Sequence, residues 1–219
     1  EVEAKAVVMA TGFDQTPPTA KPQYGFGRVP NVISGLQMER LLAPHGPYGR
    51  VLRPSDGKVP ESIAYIQCAG SRDQSIGVPY CSRVCCMYAI KQSMLLSGAL
   101  PLADITIYYM DIRAFGKGYE QFYQNAQAMG IEFIKGKVAS IREGENQSPV
   151  VRVEMLEEDG VARERQHDLV VLSLGMQPAW RPTRTLSLKA ASDGFVHTPM
   201  SNFRPSLTDQ LGIFGAGTA

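Results

Sequence analysis

Between Ser62 and Ile141 the chain alternates strand-length apolar runs with helix-length segments, and this order narrows the possible folds more than any other feature. Ser62–Cys68 is β-branched and aromatic at its centre and reads as a strand. Cys81–Ser97 reads as a helix, with Pro79 before it and Gly98 after it. Asp104–Met110 is a second strand. Tyr119–Met129 is an amphipathic helix stopped by Gly130, and Ile131–Ile141 is a third strand kinked at Gly136. Strands joined by helical crossovers lie parallel, with right-handed connections. Val150–Met155 and Ala162–His167 then form a hairpin around Asp159-Gly160, and the wholly apolar run Leu169–Leu174 has the pattern of a strand buried on both faces. The order β-α-β-α-β, hairpin, return strand predicts an α/β fold: a Rossmann-like three-layer unit with an inserted β-meander.

The flanks are different. Residues 13–60 hold much of the proline and glycine, including Pro17-Pro18, Pro22, Gly25, Gly27, Pro30, Gly46-Pro47 and Pro60, and read mostly as loop. One short helix is predicted from Ser34 to Leu42, with Ser34 as its cap. Ala6–Ala10 reads as a buried strand closed by Thr11-Gly12, and Phe195–Thr198 and Gly212–Gly215 as short strands. These pieces do not extend the central unit and are expected to belong to a second domain that it interrupts. The first residue is Glu1 and the last ones, Leu211–Ala219, run from a strand into a Gly-rich turn, so the chain reads as an internal fragment.

Bulk properties exclude several classes. With 22 basic and 21 acidic residues the net charge is +1, which is no electrostatic footprint for nucleic acid. No apolar run approaches the roughly 20 residues of a membrane span, and no apolar stretch of a signal peptide follows Glu1. At 44% hydrophobic, 219 residues can bury one large core or two small ones.

The chain has four cysteines, Cys68, Cys81, Cys85 and Cys86, in the pattern C-x12-C-x3-C-C. Cys68 ends the first strand of the central unit and the other three are expected to open the following helix, with Cys81 and Cys85 on one helix face. All four then meet at the strand-to-helix turn where a nucleotide-binding Rossmann unit holds pyrophosphate. A helix N-terminus favours thiolates there, and Arg72 and Arg83 can offset negative charge. From chemistry alone four readings stay open: an iron–sulfur cluster, a zinc site, redox-active thiols, or buried inert thiols. The spacing lacks the paired C-x2-C knuckles of a zinc ribbon.

Ile66-Gln67-Cys68-Ala69-Gly70-Ser71-Arg72-Asp73 and Tyr80-Cys81-Ser82-Arg83-Val84-Cys85-Cys86-Met87-Tyr88-Ala89-Ile90-Lys91 resemble the A subunit of heterodisulfide reductase. So does Tyr109-Met110-Asp111-Ile112-Arg113-Ala114-Phe115-Gly116-Lys117-Gly118-Tyr119-Glu120, and Tyr24–Gly27 and Pro30–Ile33 fit the same family. The resemblance runs over nearly the whole chain. It implies a thioredoxin-reductase-like flavoprotein core and electron transfer among the subunits of a redox complex in the cytoplasm. A ferredoxin or hydrogenase-type donor is the expected source of electrons. It also implies a [4Fe–4S] cluster on Cys68, Cys81, Cys85 and Cys86, and FAD. Ala10-Thr11-Gly12 is similar to the strand end that approaches the flavin in two-dinucleotide flavoproteins. Gly215-Ala216-Gly217-Thr218, within Ile213–Ala219, is similar to their C-terminal FAD motif, with Thr218 where many relatives have Asp.

No G-x-G-x-x-G follows an N-terminal strand, so the adenylate half of an FAD site is not expected here. The nicotinamide-nucleotide fingerprint of the central unit is likewise replaced by Cys68–Asp73. Asp111 stands where a ribose-binding acid would, but is expected to pair with Arg113 or meet a partner. His45, His167 and His197 are scattered and read as surface or loop residues. Trp180, between Pro178 and Pro182, reads as a loop anchor. Tyr119, Phe122, Tyr123 and Met129 read as the core face of a helix.

The reading is therefore an NAD(P)-domain-type Rossmann-like unit at residues 61–175, with residues 1–60 and 176–219 as FAD-domain pieces and linkers. The expected role is an oxidoreductase subunit that relays electrons, inactive by itself. The alternatives are the quinone-interacting oxidoreductase subunit of sulfate reducers and a non-enzymatic zinc or thiol scaffold. A disulfide reductase would need an active C-x-x-C, which is absent.

Overall fold

The computed structural model describes residues 3–157, 160–179, 186–199 and 203–218. Trp180, Asp159 and Ala219 lie outside the described residues. In chain order the strands are β1 (Val7–Met9), β2 (Phe13–Gln15), β3 (Val32–Ser34), β4 (Ser62–Ile66), β5 (Asp104–Tyr109), β6 (Glu132–Glu143), β7 (Pro149–Met155), β8 (Val161–Gln166), β9 (Leu169–Leu172), β10 (Met176–Pro178) and β11 (Ile213–Gly215). The α-helices are α1 (Gly35–Leu42), α2 (Cys85–Ala99) and α3 (Tyr119–Ala128).

One seven-stranded sheet, ordered β3-β9-β4-β5-β6-β7-β8, organises the fold. Its first five strands are parallel, and β6, β7 and β8 form the antiparallel meander. The α/β expectation therefore holds. Strand alternation sends Ile63 and Tyr65 to one face, where they pack with Met38, Ile90, Leu96 and Ala126 of the three helices. Ala64 and Ile66 face the other way, against Val138, Ile141, Val151 and Val153 of the curling meander. The sheet is thus covered on both sides. Leu169–Leu172, the central return strand, is fully buried, which explains its unbroken apolar sequence.

β6 can curl because of Gly136, where a Cβ would lie 2.6 Å from Val153 Cγ2 and 2.9 Å from the Glu154 carbonyl. An irregularity between Val138 and Ser140 adds to the bend. At α1 the predicted cap is realised as a reciprocal box: Gln37 N–H donates to Ser34 Oγ (3.2 Å), and Ser34 N–H to Gln37 Oε1 (2.8 Å).

Five expectations need correction. Val32–Ser34, read as loop, is a short edge strand beside β9; three residues among prolines and glycines give no readable period. α2 begins at Cys85 and not at Cys81, because Arg83 is left-handed (φ 64°) and cannot be helical. Ala6–Ala10 is not a buried strand: Val8 is 65% exposed and Met9 alone is buried, since β1 pairs only with β11 among the described residues. Phe195–Thr198 forms no strand, only a single bridge from Val196 to Ala190. Tyr119 and Met129 are exposed, and only Phe122 and Tyr123 of that set pack on the core.

His167 is the largest surprise among the histidines, being 1% exposed. Its Nδ1 is 2.9 Å from Ser62 Oγ and its Nε2 is 3.0 Å from the Tyr108 hydroxyl. Burial, aided by Arg165 and opposed by Glu132 and Asp168, pushes its pKa from 6.5 down to about 4. The folded state therefore holds the ring neutral where the unfolded chain would protonate it, so stability is fully present above pH 6.5 and lost as pH falls towards 4. The linked loss is on the order of 2 kcal/mol by pH 5. Urea titrations at pH 7 and pH 5 should reveal it in the native chain, and His167→Gln should reduce the difference between the two pH values.

Candidate functional site

The sulfur site is built where β4 ends. Gln67 N–H donates to the Tyr108 carbonyl (3.0 Å), and the chain then turns sharply at Cys68, which is left-handed (φ 55°). Residues 72–80 make a tight excursion. Arg72 N–H donates to the Tyr80 carbonyl (2.9 Å) and Asp73 N–H to the Val78 carbonyl (2.8 Å), which returns Cys81 to the turn. Cys85 and Cys86 follow as the first two residues of α2. Cys81 lies in the loop before the helix, so it does not share a helix face with Cys85, as the spacing alone suggests. Cys68, Arg72 and Arg83 all have positive φ without being glycine, and such strain persists where surrounding structure enforces it.

All four cysteines are free thiols, Cys85 and Cys86 being buried and Cys68 and Cys81 half-buried. Three of the sulfurs have a neighbouring hydrogen-bond donor. The Arg72 guanidinium serves Cys68, and the Arg83 backbone N–H donates to Cys81 Sγ (3.3 Å). The Arg113 backbone N–H serves Cys86, whereas Cys85 Sγ donates to the Leu174 carbonyl (3.4 Å), which the Tyr88 hydroxyl also meets (3.0 Å). Arg72 and Arg113 are themselves anchored on Asp111, at 2.6 Å and 3.0 Å. Asp111 with Arg113 was legible as a pair; the second arginine was not.

Burial pushes the Cys68 thiol up to about 11, against the lowering pull of Arg72, and Cys86 and Cys81 push it further. Burial pushes Cys85 up to about 12, with Cys68, Cys86 and Cys81 adding to the effect. Cys86 is raised for the same first reason. The sulfurs thus sense one another across a shared volume. Yet among the described residues no three His, Cys, Asp or Glu side chains stand close enough to clasp one metal ion. A single tetrahedral zinc needs sulfurs about 2.3 Å from a common centre; a polynuclear cluster carries its thiolates farther apart. The donor set, four thiols, is one that either kind of group can use.

Two cavities join this site to the C-terminal flank. One, about 830 Å³, is lined by Cys81, Arg83, Arg113, Phe115, Asp193 and Phe195. The other, about 810 Å³, is lined by Gly215, Ala216, Gly217 and Thr218 and shares Arg83, Asp193, Phe195 and Thr198 with the first. The shared walls make them one groove. Ala216 N–H donates to the Met9 carbonyl (2.8 Å), so the strand leading to Ala10, Thr11 and Gly12 abuts the Gly215–Thr218 turn. Ala10, Thr11 and Gly12 themselves do not line the groove.

No family model matches the chain. Curated relatives do. The chain is 44% identical over 226 residues to the A subunit of the H(2):CoB-CoM heterodisulfide,ferredoxin reductase of Methanothermobacter thermautotrophicus, a match covering 100% of this chain and 34% of that protein. It is 47% identical to the A subunit of the ferredoxin:CoB-CoM heterodisulfide reductase of Methanosarcina mazei, over 100% of this chain and 28% of the relative. It is also 47% identical to the second iron-sulfur A subunit of the CoB--CoM heterodisulfide reductase of Methanopyrus kandleri, over 99% and 34%. Along its own length, the chain is homologous to part of these heterodisulfide reductase A subunits. It spans about a third of the length of these family members.

The fold has its own likeness. The crystal structure of T. acidophilum thioredoxin reductase superposes with a TM-score of 0.55 at 17% identity, covering 99% of this chain and 58% of that one. Reduced Bacillus anthracis CoADR-RHD gives 0.53 at 14%, covering 97% and 32%. The chain therefore has a thioredoxin-reductase-like fold. Among its described residues no helix is long and apolar enough to cross a membrane.

The thiol environment has a measurable consequence. In the reduced, metal-free chain, alkylation of Cys68 by iodoacetamide should still rise about tenfold per pH unit between pH 8 and 10, because its thiolate fraction grows until about 11. Arg72→Gln should slow it further. Peptide mass spectrometry reads both, and a rate that levels off near pH 9 would contradict the burial argument.

Proposed function

We propose that this chain carries a [4Fe–4S] cluster on Cys68, Cys81, Cys85 and Cys86. In this reading it is the cluster-bearing part of an oxidoreductase like the A subunit of heterodisulfide reductase. The observation that carries the reading is a four-thiol set with donors beside three of its sulfurs: the Arg72 guanidinium at Cys68, the Arg83 N–H at Cys81 and the Arg113 N–H at Cys86. Inert buried thiols need no such set, and ligating thiolates are tuned by it. The word iron-sulfur in the Methanopyrus relative's name supports the same reading.

When bound, the cluster supplies one-electron chemistry. The chain's own residues do the rest. Cys85 and Cys86 are buried, which excludes water from two ligands. Arg72 and Arg113 place positive charge beside a centre with four thiolate ligands, and Asp111 fixes both guanidinium groups. Loading releases the thiol protons that burial retains in the metal-free state.

FAD is the second proposed group, held in part by Gly215, Ala216, Gly217 and Thr218, with Ala10, Thr11 and Gly12 at the adjoining strand end. The groove shared by Cys81 and Gly215–Thr218 supports this, because it gives a flavin at one end access to the sulfur site at the other. The full-length protein would then pass electrons within a multi-subunit complex in the cytoplasm, fed by a ferredoxin or hydrogenase-type donor. Residues 61–175 are proposed as the cluster-bearing unit, with residues 1–60 and 176–219 joining it to the flavin domain.

Anaerobic reconstitution tests the central claim. Assays of iron, acid-labile sulfide and zinc should find about four iron and four sulfide per chain, and Cys85→Ala should hold much less. Zinc alone, or iron content unchanged in Cys85→Ala, would overturn the assignment.

A further inference from the structure

Arg72, Arg83 and Arg113 serve three of the four sulfurs, and Cys85 is the fourth. Its Sγ donates to the Leu174 carbonyl at 3.4 Å, and the Tyr88 hydroxyl donates to the same oxygen at 3.0 Å. Cys85 and Tyr88 stand three residues apart on α2, so their side chains are neighbours on one helix face. Close packing holds the tyrosine ring in place. A Cβ on Gly35, the first residue of α1, would lie 2.9 Å from Tyr88 Cε2 and 3.4 Å from the hydroxyl oxygen. Gly35 is not among the residues with positive φ, so the missing side chain there serves the ring and not the backbone. Burial, with Cys85 adding to it, pushes the Tyr88 hydroxyl well above its usual 10, and it keeps its proton.

The pair of bonds on Leu174 cannot survive ligation of Cys85. A ligating cysteine is a thiolate and has no S–H to give. Sulfur and carbonyl oxygen, 3.4 Å apart in the metal-free chain, then face each other as two acceptors, with the Tyr88 O–H already bonded to one of them. A hydroxyl changes acceptor by turning its proton about the C–O bond. A charged acceptor attracts that proton more strongly than a neutral carbonyl does.

We infer that Tyr88 helps to set the reduction potential of the centre held by the four cysteines, by turning its hydroxyl from the Leu174 carbonyl to Cys85 Sγ when Cys85 becomes a ligand. The inference rests on the cluster reading above. A donor to a ligating thiolate stabilises the more reduced, more negative state of such a centre, and so raises its potential.

The test uses the full chain after anaerobic reconstitution, with iron and sulfide assays beside a redox titration followed by electron paramagnetic resonance. Tyr88→Phe keeps the ring and removes only the hydroxyl. It should hold as much iron and sulfide as the native chain, and its midpoint potential should shift to more negative values. Electron–nuclear double resonance of the reduced state in light and heavy water should show an exchangeable proton in the native chain that Tyr88→Phe lacks. The backbone N–H groups of Arg83 and Arg113 are present in both and cancel in the comparison. A hydroxyl that served the fold alone would move neither readout. A native chain that takes up no iron and sulfide would overturn the cluster reading, and the inference with it. A loaded Tyr88→Phe with the native potential and the native exchangeable protons would overturn the inference alone. Should Tyr88→Phe fail to load, Gly35→Ala decides, because it retains the hydroxyl and crowds the ring. Its potential should shift in the same direction with the iron retained, and an unshifted potential would overturn the inference.

Discussion

The close crossing of the chain at Gly70 and Gly175 holds the molecule together at its functional end. A Cβ on Gly70 would lie 2.7 Å from Thr16 Cβ and 3.0 Å from Gly175 N. A Cβ on Gly175 would overlap Ser71 Oγ and the Gly70 carbonyl. Hydrogen bonds exploit the approach. Thr16 N–H donates to the Gly175 carbonyl (2.9 Å) and Thr16 Oγ1 to the Gly70 carbonyl (2.8 Å). Met176 N–H donates to Ser82 Oγ (2.8 Å), which also meets Ser71 Oγ (2.7 Å). One small contact thus ties the N-terminal flank, both arms of the cysteine loop and the C-terminal flank to the end of the sheet. A larger side chain at either glycine would separate the sulfur turn from the strands that lead to the glycine-rich motif.

That crossing also explains how an unfavourable arrangement of thiols is tolerated. Burial and mutual repulsion resist thiolate formation at Cys68, Cys85 and Cys86, while the Arg72 guanidinium favours it at Cys68 and the Arg113 backbone N–H at Cys86. The opposing influences leave Cys68 and Cys85 protonated near neutral pH in the absence of a ligand. They also leave Cys68, Cys81 and Cys86 beside donors that gain strength once a sulfur carries charge. The left-handed turns at Cys68, Arg72 and Arg83 are the conformational cost of aiming those groups, and the surrounding hydrogen bonds hold them.

How much of this could be read from sequence depended on how local each signal was. The apolar run Leu169–Leu174 and the β-branched centre of Ser62–Cys68 report burial directly, so the sheet and its α/β class were legible. So was the gathering of four cysteines at one turn. The start of α2 was not, because Arg83 is an ordinary helix former and its left-handed φ of 64° leaves no mark in the sequence. His167 looked like a loop residue because its two partners, Ser62 and Tyr108, are over fifty residues away in sequence. Gln67 left a faint trace that could have been used: a carboxamide closing an otherwise apolar strand calls for a partner. The donors to Cys81 and Cys86 left none, since they are backbone groups.

The conversion of this Rossmann-like turn follows from those same residues. In a nucleotide-binding turn, glycines let a pyrophosphate approach the backbone and the acid after the second strand receives a ribose. Here left-handed positions are filled by Cys68 and Arg72 and not by glycine. Asp111 is engaged by two guanidinium groups, so a ribose would have to displace charge-assisted bonds of 2.6 Å and 3.0 Å to reach it. The crevice that the fold provides for a nucleotide has become a sulfur-lined turn. Its two sides open separately, Cys81 onto the large groove and Cys68 onto a smaller polar cavity lined also by Lys21, Gln67 and Arg72.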